Sequence, residues 1–189
     1  QTLFRLTAQH DIAVVEVGTN HPGEIAALRD IVQPTHVLLT NIGREHLEFF
    51  GDVDGVAREE TSLWQTIPGR KPAVAFVNAD DPYLVRAARG MRRCVRFGMR
   101  ARNADVRGSR ISLMPDGSVR FRFAGKKMKS PLDVRLSVPG THAAVNALAA
   151  AAVGLTFRVA PRHIQEALEG FTASSKRMEV LNAGGVIIL

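Results

Sequence analysis

The sequence predicts an α/β fold in which a mostly parallel sheet, flanked by helices, is followed by a small antiparallel β subsheet. Short apolar runs at residues 12–15 and 36–39 each stop at a loop rich in Gly, Asn and Thr, with a helix-spaced segment between them. That order is typical of buried parallel strands joined by a helix. Residues 118–123 instead alternate between apolar and basic side chains, which indicates a half-exposed antiparallel strand.

The composition is that of a globular protein of one domain, or one and a half. The chain has 189 residues, of which 46% are hydrophobic and 23% charged, so it can bury a sizeable core. Cys94 is the lone cysteine, which excludes a disulfide framework and fits a reducing compartment. No apolar run approaches the ~20 residues of a membrane span, and no signal peptide is visible. The chain starts at Gln1 and ends on an apolar strand, so we expect a fragment of a longer protein.

Positive charge is concentrated in the middle of the chain. The net charge is +7, and residues 86–135 hold 15 Lys or Arg against three Asp. A solvated surface and an acidic small-molecule substrate both remain open as explanations. Nucleic acid is disfavoured, because the run lacks the interleaved aromatic side chains that stack on bases.

The first elements form a strand–helix–strand unit. Residues 11–17 and 36–40 are predicted strands. Between them, Pro22 suits the first turn of a helix, and the residues after it keep helical spacing. Such a unit predicts a parallel pair with a right-handed crossover.

The next elements continue the alternation of helices and strands. A turn at residues 49–52 precedes a helix at 55–66, for which Asp54 is the predicted N-cap. The remaining predictions here are strands at 73–77 and 94–97 and a helix from Pro82 to residue 89.

The pattern changes near Asp105. Strands at 110–113 and 118–123, joined by a Pro-Asp-Gly turn, predict an antiparallel hairpin, and residues 132–138 give a third alternating strand. The remaining predictions are helices at 142–155 and 161–168 and a strand at 186–189.

The candidate site lies where the first two predicted strands end. Ligands bind at the carboxyl ends of strands in open α/β sheets, and these ends carry Glu16, Asn41 and His46. Carboxylate, amide and imidazole groups suit a metal–phosphate site. Taken singly, an acid such as Glu16 at a strand end is often merely exposed, and a histidine such as His46 is more often a hydrogen-bonded surface or core residue. The three residues together favour function.

Asn146 is the one polar side chain in the middle of an Ala-rich helix that we expect to be buried. A buried amide needs hydrogen-bond partners. Those partners are either backbone groups or the edge of a bound base, since a carboxamide both donates and accepts.

Five segments, in order along the chain, resemble the central ATPase domain of the Mur ligases. They are residues 16–25 (Glu-Val-Gly-Thr-Asn-His-Pro-Gly-Glu-Ile), 40–47 (Thr-Asn-Ile-Gly-Arg-Glu-His-Leu), 77–81 (Val-Asn-Ala-Asp-Asp), 139–150 (Pro-Gly-Thr-His-Ala-Ala-Val-Asn-Ala-Leu-Ala-Ala) and 175–178 (Ser-Lys-Arg-Met). The first is most similar to members that add D-alanyl-D-alanine. One such motif is weakly specific, whereas five in the family's order are strongly specific.

The resemblance implies an ATP-dependent amide ligase of peptidoglycan synthesis, which activates UDP-N-acetylmuramoyl-tripeptide as an acyl phosphate for attack by D-alanyl-D-alanine. The implied cofactors are ATP and Mg²⁺. We further expect a cytoplasmic bacterial monomer that binds neither nucleic acid nor membrane.

By position, the resemblance also implies residue roles. It makes Glu16 and His46 magnesium ligands, with His46 also catalytic, and Asn146 an adenine contact. The remaining roles are a nucleotide phosphate or ribose contact for Arg177, substrate contacts for Thr19 and Asn20, and a site-orienting role for Asn41.

The sequence departs from the family pattern in four ways. No Gly-x-x-Gly-Lys-Thr/Ser phosphate loop occurs, and the family's N-terminal and C-terminal domains are absent. Residues 1–189 are therefore interpreted as a partial central domain, with 105–138 as an antiparallel insertion, inactive by itself. Glu60 stands where most members carry a carbamylated Lys, and we hypothesise that its carboxylate replaces the carbamate; a surface Glu in a shifted alignment is the alternative. Ala143 stands where a second Asn is common.

Two other interpretations stay open. One is a different Mur-like ligase, such as a tripeptide-forming ligase, folylpolyglutamate synthase or cyanophycin synthetase. The other is a non-catalytic module whose basic hairpin region binds an acidic partner.

Overall fold

A computed structural model describes residues 3, 6–66, 69, 71–172, 181–183 and 186–188 of the chain. The strands are β1 (His36–Leu39), β2 (Val74–Asn78), β3 (Cys94–Gly98), β4 (Val106–Leu113), β5 (Val119–Gly125), β6 (Leu132–Leu136), β7 (Leu181–Ala183) and β8 (Val186–Ile188). The helices are α1 (Glu24–Val32), α2 (Leu47–Phe50), α3 (Val53–Thr61), α4 (Pro82–Ala87), α5 (Thr141–Thr156) and α6 (Pro161–Glu169).

The first six strands form one mixed sheet in which spatial order follows chain order. The pairs β1–β2, β2–β3 and β3–β4 are parallel, whereas the pairs β4–β5 and β5–β6 are antiparallel. The predicted α/β class is thus confirmed. The antiparallel strands are not detached, however, because β3 pairs with β4 and makes the two halves continuous.

Helices pack on both faces of the sheet, and a separate apolar core lies between the sheet and the helices on each face. On one face, the fully buried Val119, Phe121 and Phe123 of β5 pack with the alanine-rich side of α5. This is the alternation that the sequence predicted. On the other face, Val37 of β1 and Val77 of β2 pack with Ile25 of α1 and with residues of α4 and a 3₁₀ turn, Ser62–Trp64.

The strand predicted at residues 11–17 does not form. Residues 12–19 have no regular structure, and Val14 is 94% exposed. A strand needs a ladder of hydrogen bonds to a neighbour. In the described residues β1 pairs with β2 alone, so this segment has no strand partner and the predicted parallel pair and crossover are absent.

The start of α3 differs from the prediction. The Asp52 side chain, not that of Asp54, caps the helix by accepting the backbone N–H of Gly55 at 2.7 Å. Asp54 lies in the first turn and pairs with Arg86. Both acids fit the capping pattern, and the turn predicted at 49–52 is partly taken up by α2, which moves the cap two residues earlier.

The end of the chain contains a two-stranded hairpin of β7 and β8. β8 matches the strand predicted at residues 186–189, whereas β7 was not predicted. None of the helices in the described ranges has the length and apolarity needed to cross a lipid bilayer.

The packing of β5 on α5 predicts how much stability is lost when a large side chain is removed from this core. Phe121→Ala should lower the free energy of unfolding by about 3–5 kcal/mol, because the ring has no exposed surface and its removal leaves a cavity. Urea denaturation measures the change. The matched variant Phe171→Ala, at a ring that is 58% exposed, should shift stability by no more than about 0.5 kcal/mol; equal losses in the two variants would contradict the assigned core.

Candidate functional site

The loop that precedes α1 is shaped by the carboxylate of Glu24. The backbone N–H groups of Asn20 and His21 donate to Glu24 Oε2 at 2.7 and 3.0 Å, and the Thr19 hydroxyl lies 3.1 Å from the same oxygen. These three donors lower the pKa of Glu24 from its ordinary value of 4.5 to about 2. Glu16, just before this loop, is exposed.

A second carboxylate fixes the same loop from outside. The two oxygens of Glu59, on α3, accept the backbone N–H groups of Gly23 and Ile25, each at 2.9 Å. The first turn of α1 has no side-chain cap of its own. Glu59 therefore supplies the acceptor that this helix start lacks.

The loop after β1 is tied to the end of β2. The Asn78 side-chain amide donates to the Thr40 carbonyl at 2.8 Å, and the backbone N–H of Ile42 donates to Asp81 Oδ2 at 2.8 Å. Asn41, between these two attachments, is exposed. Within the described part of the chain its side chain forms no hydrogen bond, so the loop is held by its backbone and not by Asn41.

His46 ends this loop in an uncommon backbone conformation. Its φ of 54° is left-handed, a region that non-glycine residues rarely occupy and that is found at functional sites. The side chain is exposed. The following residues form α2, and the Phe49 ring of that helix packs against His21 in a tilted arrangement, with ring centroids 4.3 Å apart. The first loop is thus in contact with the helix that directly follows the second loop.

Glu60 is half-buried on α3 and faces the second loop. Burial raises its pKa, the neighbouring carboxylates of Glu45 and Glu59 raise it further, and His46 acts in the opposite direction. Among the described residues no hydrogen-bond donor reaches this carboxylate. His46 and Glu60 therefore lie near one another, beside the carboxylates of Glu45 and Glu59.

This region fits magnesium only in part. Across the described ranges, no three His, Cys, Asp or Glu side chains stand close enough to hold a metal ion by themselves. Mg²⁺, however, commonly takes one or two protein carboxylates and completes its shell with water and substrate phosphates. Glu60 offers one such carboxylate near His46, whereas no hydrogen bond or ion pair among the described residues connects Glu16 to either of them.

Asn146 is not buried, contrary to the sequence-based expectation. Helix α5 turns Ala143, Ala144 and Ala147 toward the sheet, whereas Asn146 lies on the exposed side. Its amide therefore needs no partner within the protein and is free to contact a ligand. The remaining candidate, Arg177, lies outside the described residues.

The sequence analysis missed the side chains that position the site: Glu24, Glu59, Asn78 and Asp81. Signals were present for three of them, because Glu24, Asn78 and Asp81 lie in the motif segments 16–25 and 77–81. Asp81 also directly precedes the helix-starting Pro82, and its side chain accepts the N–H groups of Tyr83 and Leu84 at the start of α4. Glu59 carries no local signal, since its partners lie 34 and 36 residues away.

The Glu24 contacts predict a pH dependence of the first loop. Because the pKa of Glu24 is lowered, its hold on the loop is complete above the ordinary pKa of 4.5 and is lost as the pH falls toward about 2. A carbon-13 NMR titration of the carboxyl group measures this midpoint. Thr19→Val should raise it by removing one donor, whereas Thr66→Val, at an exposed threonine outside the loop, should leave it in place. A wild-type midpoint near 4.5 would contradict the geometry.

The chain is similar to a known family over most of its length. The family model described as Mur ligase middle domain matches residues 1–154. The UDP-N-acetylmuramoyl-tripeptide–D-alanyl-D-alanine ligase of Escherichia coli (strain K12) is 35% identical over 157 residues, 82% of this chain and 34% of that protein. The ligase of the same name from Mycobacterium tuberculosis (strain ATCC 25618 / H37Rv) is 34% identical over 191 residues, 100% of this chain and 36% of that protein.

Solved structures agree with these relatives. A crystal structure of MurF from Acinetobacter baumannii superimposes with a TM-score of 0.85 and 29% identity, over 98% of this chain and 40% of that one. A pseudomurein peptide ligase type C from Methanothermus fervidus shares the fold, with a TM-score of 0.76 and 20% identity, over 91% of this chain and 41% of that one. The chain spans about a third of the length of the curated relatives named above.

Proposed function

The chain belongs to the Mur ligase family, whose middle domain it matches, and on that premise we propose that the intact protein is an ATP-dependent ligase. It joins D-alanyl-D-alanine to UDP-N-acetylmuramoyl-tripeptide. The observation that carries the proposal is the contact of the first motif loop with the helix that follows the second, through His21 and Phe49, with Glu60 close to Glu45 and His46 of the second loop. Relatives that align over 82% and 100% of this chain are named for this reaction.

The proposed chemistry is amide formation through an acyl phosphate. A carboxylate oxygen of the tripeptide attacks the γ-phosphorus of ATP, and ADP leaves. The amino group of D-alanyl-D-alanine then attacks the acyl carbon, the C–O bond to phosphate breaks, and the nitrogen loses a proton. In such reactions the protein contributes mainly position and electrostatic stabilisation.

The first loop is the proposed contact for the muramoyl substrate. Asn20 is exposed, while its backbone N–H and the Thr19 hydroxyl are engaged by Glu24. The Asn20 side chain is therefore presented on a fixed backbone, which suits a substrate contact. In this proposal Thr19 acts from the same fixed loop, and the exposed Asn41 side chain orients the groups that bind at the site, not the second loop itself.

The region of His46 and Glu60 is the proposed position of the magnesium ion. Glu16 and His46 would hold Mg²⁺, with Glu60 contributing negative charge through a bound water. The ion, when bound, neutralises phosphate charge. This assignment accounts for a half-buried glutamate that has acids as neighbours and no hydrogen-bond donor among the described residues.

Asn146 and Arg177 are the proposed nucleotide contacts. Asn146 lies on the exposed side of α5 and its amide forms no hydrogen bond with the described residues, and an amide can pair with both a donor and an acceptor on an adenine edge. Arg177 is assigned from its position in the sequence alone. Phosphate-binding groups from the rest of the intact protein would complete the nucleotide site.

A phosphate-release assay tests the proposed function. The intact protein, given ATP, magnesium, UDP-N-acetylmuramoyl-tripeptide and D-alanyl-D-alanine, should release phosphate and form the pentapeptide product. Omitting the dipeptide should stop product formation, and L-alanine or a folate with glutamate should not replace the natural pair. Turnover with one of those replacements alone would favour another Mur-like ligase, and salt-sensitive polyanion binding without turnover would favour a basic binding module. Residues 1–189 alone should release no phosphate.

Glu60 gives a residue-level test of the same proposal. Glu60→Gln should lower turnover of the intact enzyme by about 10- to 100-fold, the usual effect of removing a group that supports a metal ion through an intermediate ligand. Magnesium dependence measured at saturating ATP should shift to higher concentration. Glu166→Gln, at a surface glutamate paired with Arg162, should match the wild type. Unchanged turnover in Glu60→Gln would exclude Glu60 from the reaction.

A further inference from the structure

Glu59 connects two parts of the candidate site that are far apart in the sequence. Its carboxylate accepts the N–H groups of Gly23 and Ile25 at 2.9 Å each, and it precedes Glu60 on α3. We propose that Glu59 is a positioning residue, which sets the location of the loop at residues 19–25 relative to His46 and Glu60. The proposal rests on the proposed function, because that function assigns Thr19 and Asn20 to the substrate.

The start of α1 requires an acceptor from elsewhere. The first N–H groups of a helix have no partner within the helix. Gly23 precedes α1 in a left-handed conformation, with φ of 88°, and has no side chain that could cap it. Ile25 is fully buried, so its N–H is remote from solvent. A carboxylate also complements the positive end of the helix dipole.

Glu24 and Glu59 act on the loop in different ways. Glu24 binds Thr19, Asn20 and His21 within the loop itself, so it fixes the loop's internal shape. Glu59 binds the loop from another element. Of these two carboxylates, Glu59 is therefore the one that ties the shaped loop to α3.

Helix α3 is a rigid support for this contact. Its N-terminus is capped by Asp52, and Val56 and Ala57 are buried. Successive residues of a helix point about 100° apart. Glu59 can therefore face the first loop while Glu60 faces the second, so that one turn of α3 sets the spacing between them.

Amide exchange tests the contact without reference to catalysis. In the intact protein, Glu59→Ala should speed hydrogen exchange at Gly23 and Ile25 by at least about tenfold, as expected for the loss of a hydrogen bond to a charged acceptor. The amides of Asn20 and His21, which bind Glu24, should change less. Glu59→Gln keeps the length and one carbonyl oxygen, so it should give a smaller increase and serves if the alanine variant folds poorly. Unchanged exchange at both amides would overturn the proposal.

Kinetics test the positioning role. Glu59→Gln should raise the KM for UDP-N-acetylmuramoyl-tripeptide about tenfold and leave the KM for ATP within about twofold, because a displacement of about 1 Å in a positioning group can cost up to a hundredfold. A merely destabilised enzyme would lose active molecules without this split. Glu166→Gln should change neither constant.

The two experiments separate the two proposals. No split between the KM values in an active enzyme would overturn the positioning role. If the intact wild type ligates none of the substrates, the proposed function fails, and the exchange rates at Gly23 and Ile25 still decide whether Glu59 fixes the loop.

Discussion

The structure of the site depends on buried polar side chains at the carboxyl end of β2. Asn78 and Asp81 are at most 9% exposed, and buried polar groups must find hydrogen-bond partners. Their partners are backbone groups of the loop after β1 and of the start of α4. Asp80, between them, accepts the N–H groups of residues 99–101 after β3. Residues 78–81 therefore attach three segments to the sheet: the loop after β1, the start of α4 and the turn after β3. The position of the loop that ends in His46 is set by these contacts.

The first loop has no comparable anchor in the sheet, because the strand predicted before it does not form. Its position depends instead on α3, through Glu59, and on the contact of His21 with Phe49. The two loops are thus held by different means: one by side chains of the sheet, the other by a helix. Helix α3 contacts both, so changes in its position move the first loop and Glu60 together.

The sequence predicted the elements whose pattern is local and missed the features that depend on distant partners. The alternation of Val119, Phe121 and Phe123 correctly predicted the buried face of β5, because period two is a property of the strand itself. The strand at 11–17 was wrong because a strand also needs a ladder neighbour. Asn146 was expected to be buried because an apolar composition gives the average burial of a helix without the direction of each side chain. The partners of Glu59 lie more than thirty residues away in the sequence, and a local periodic pattern carries no information about contacts at that separation.

Glu59 and Glu60 are adjacent residues of the same type, but their carboxylates lie in different surroundings. Glu59 receives two backbone N–H groups, so its negative charge is compensated by the protein. Glu60, one residue on, is half-buried beside Glu45 and Glu59, and no donor among the described residues reaches it. Keeping such a group charged costs folding free energy. A bound cation would lower that cost by supplying an opposite charge. This difference in compensation is what motivates the proposed division of roles between Glu59 and Glu60.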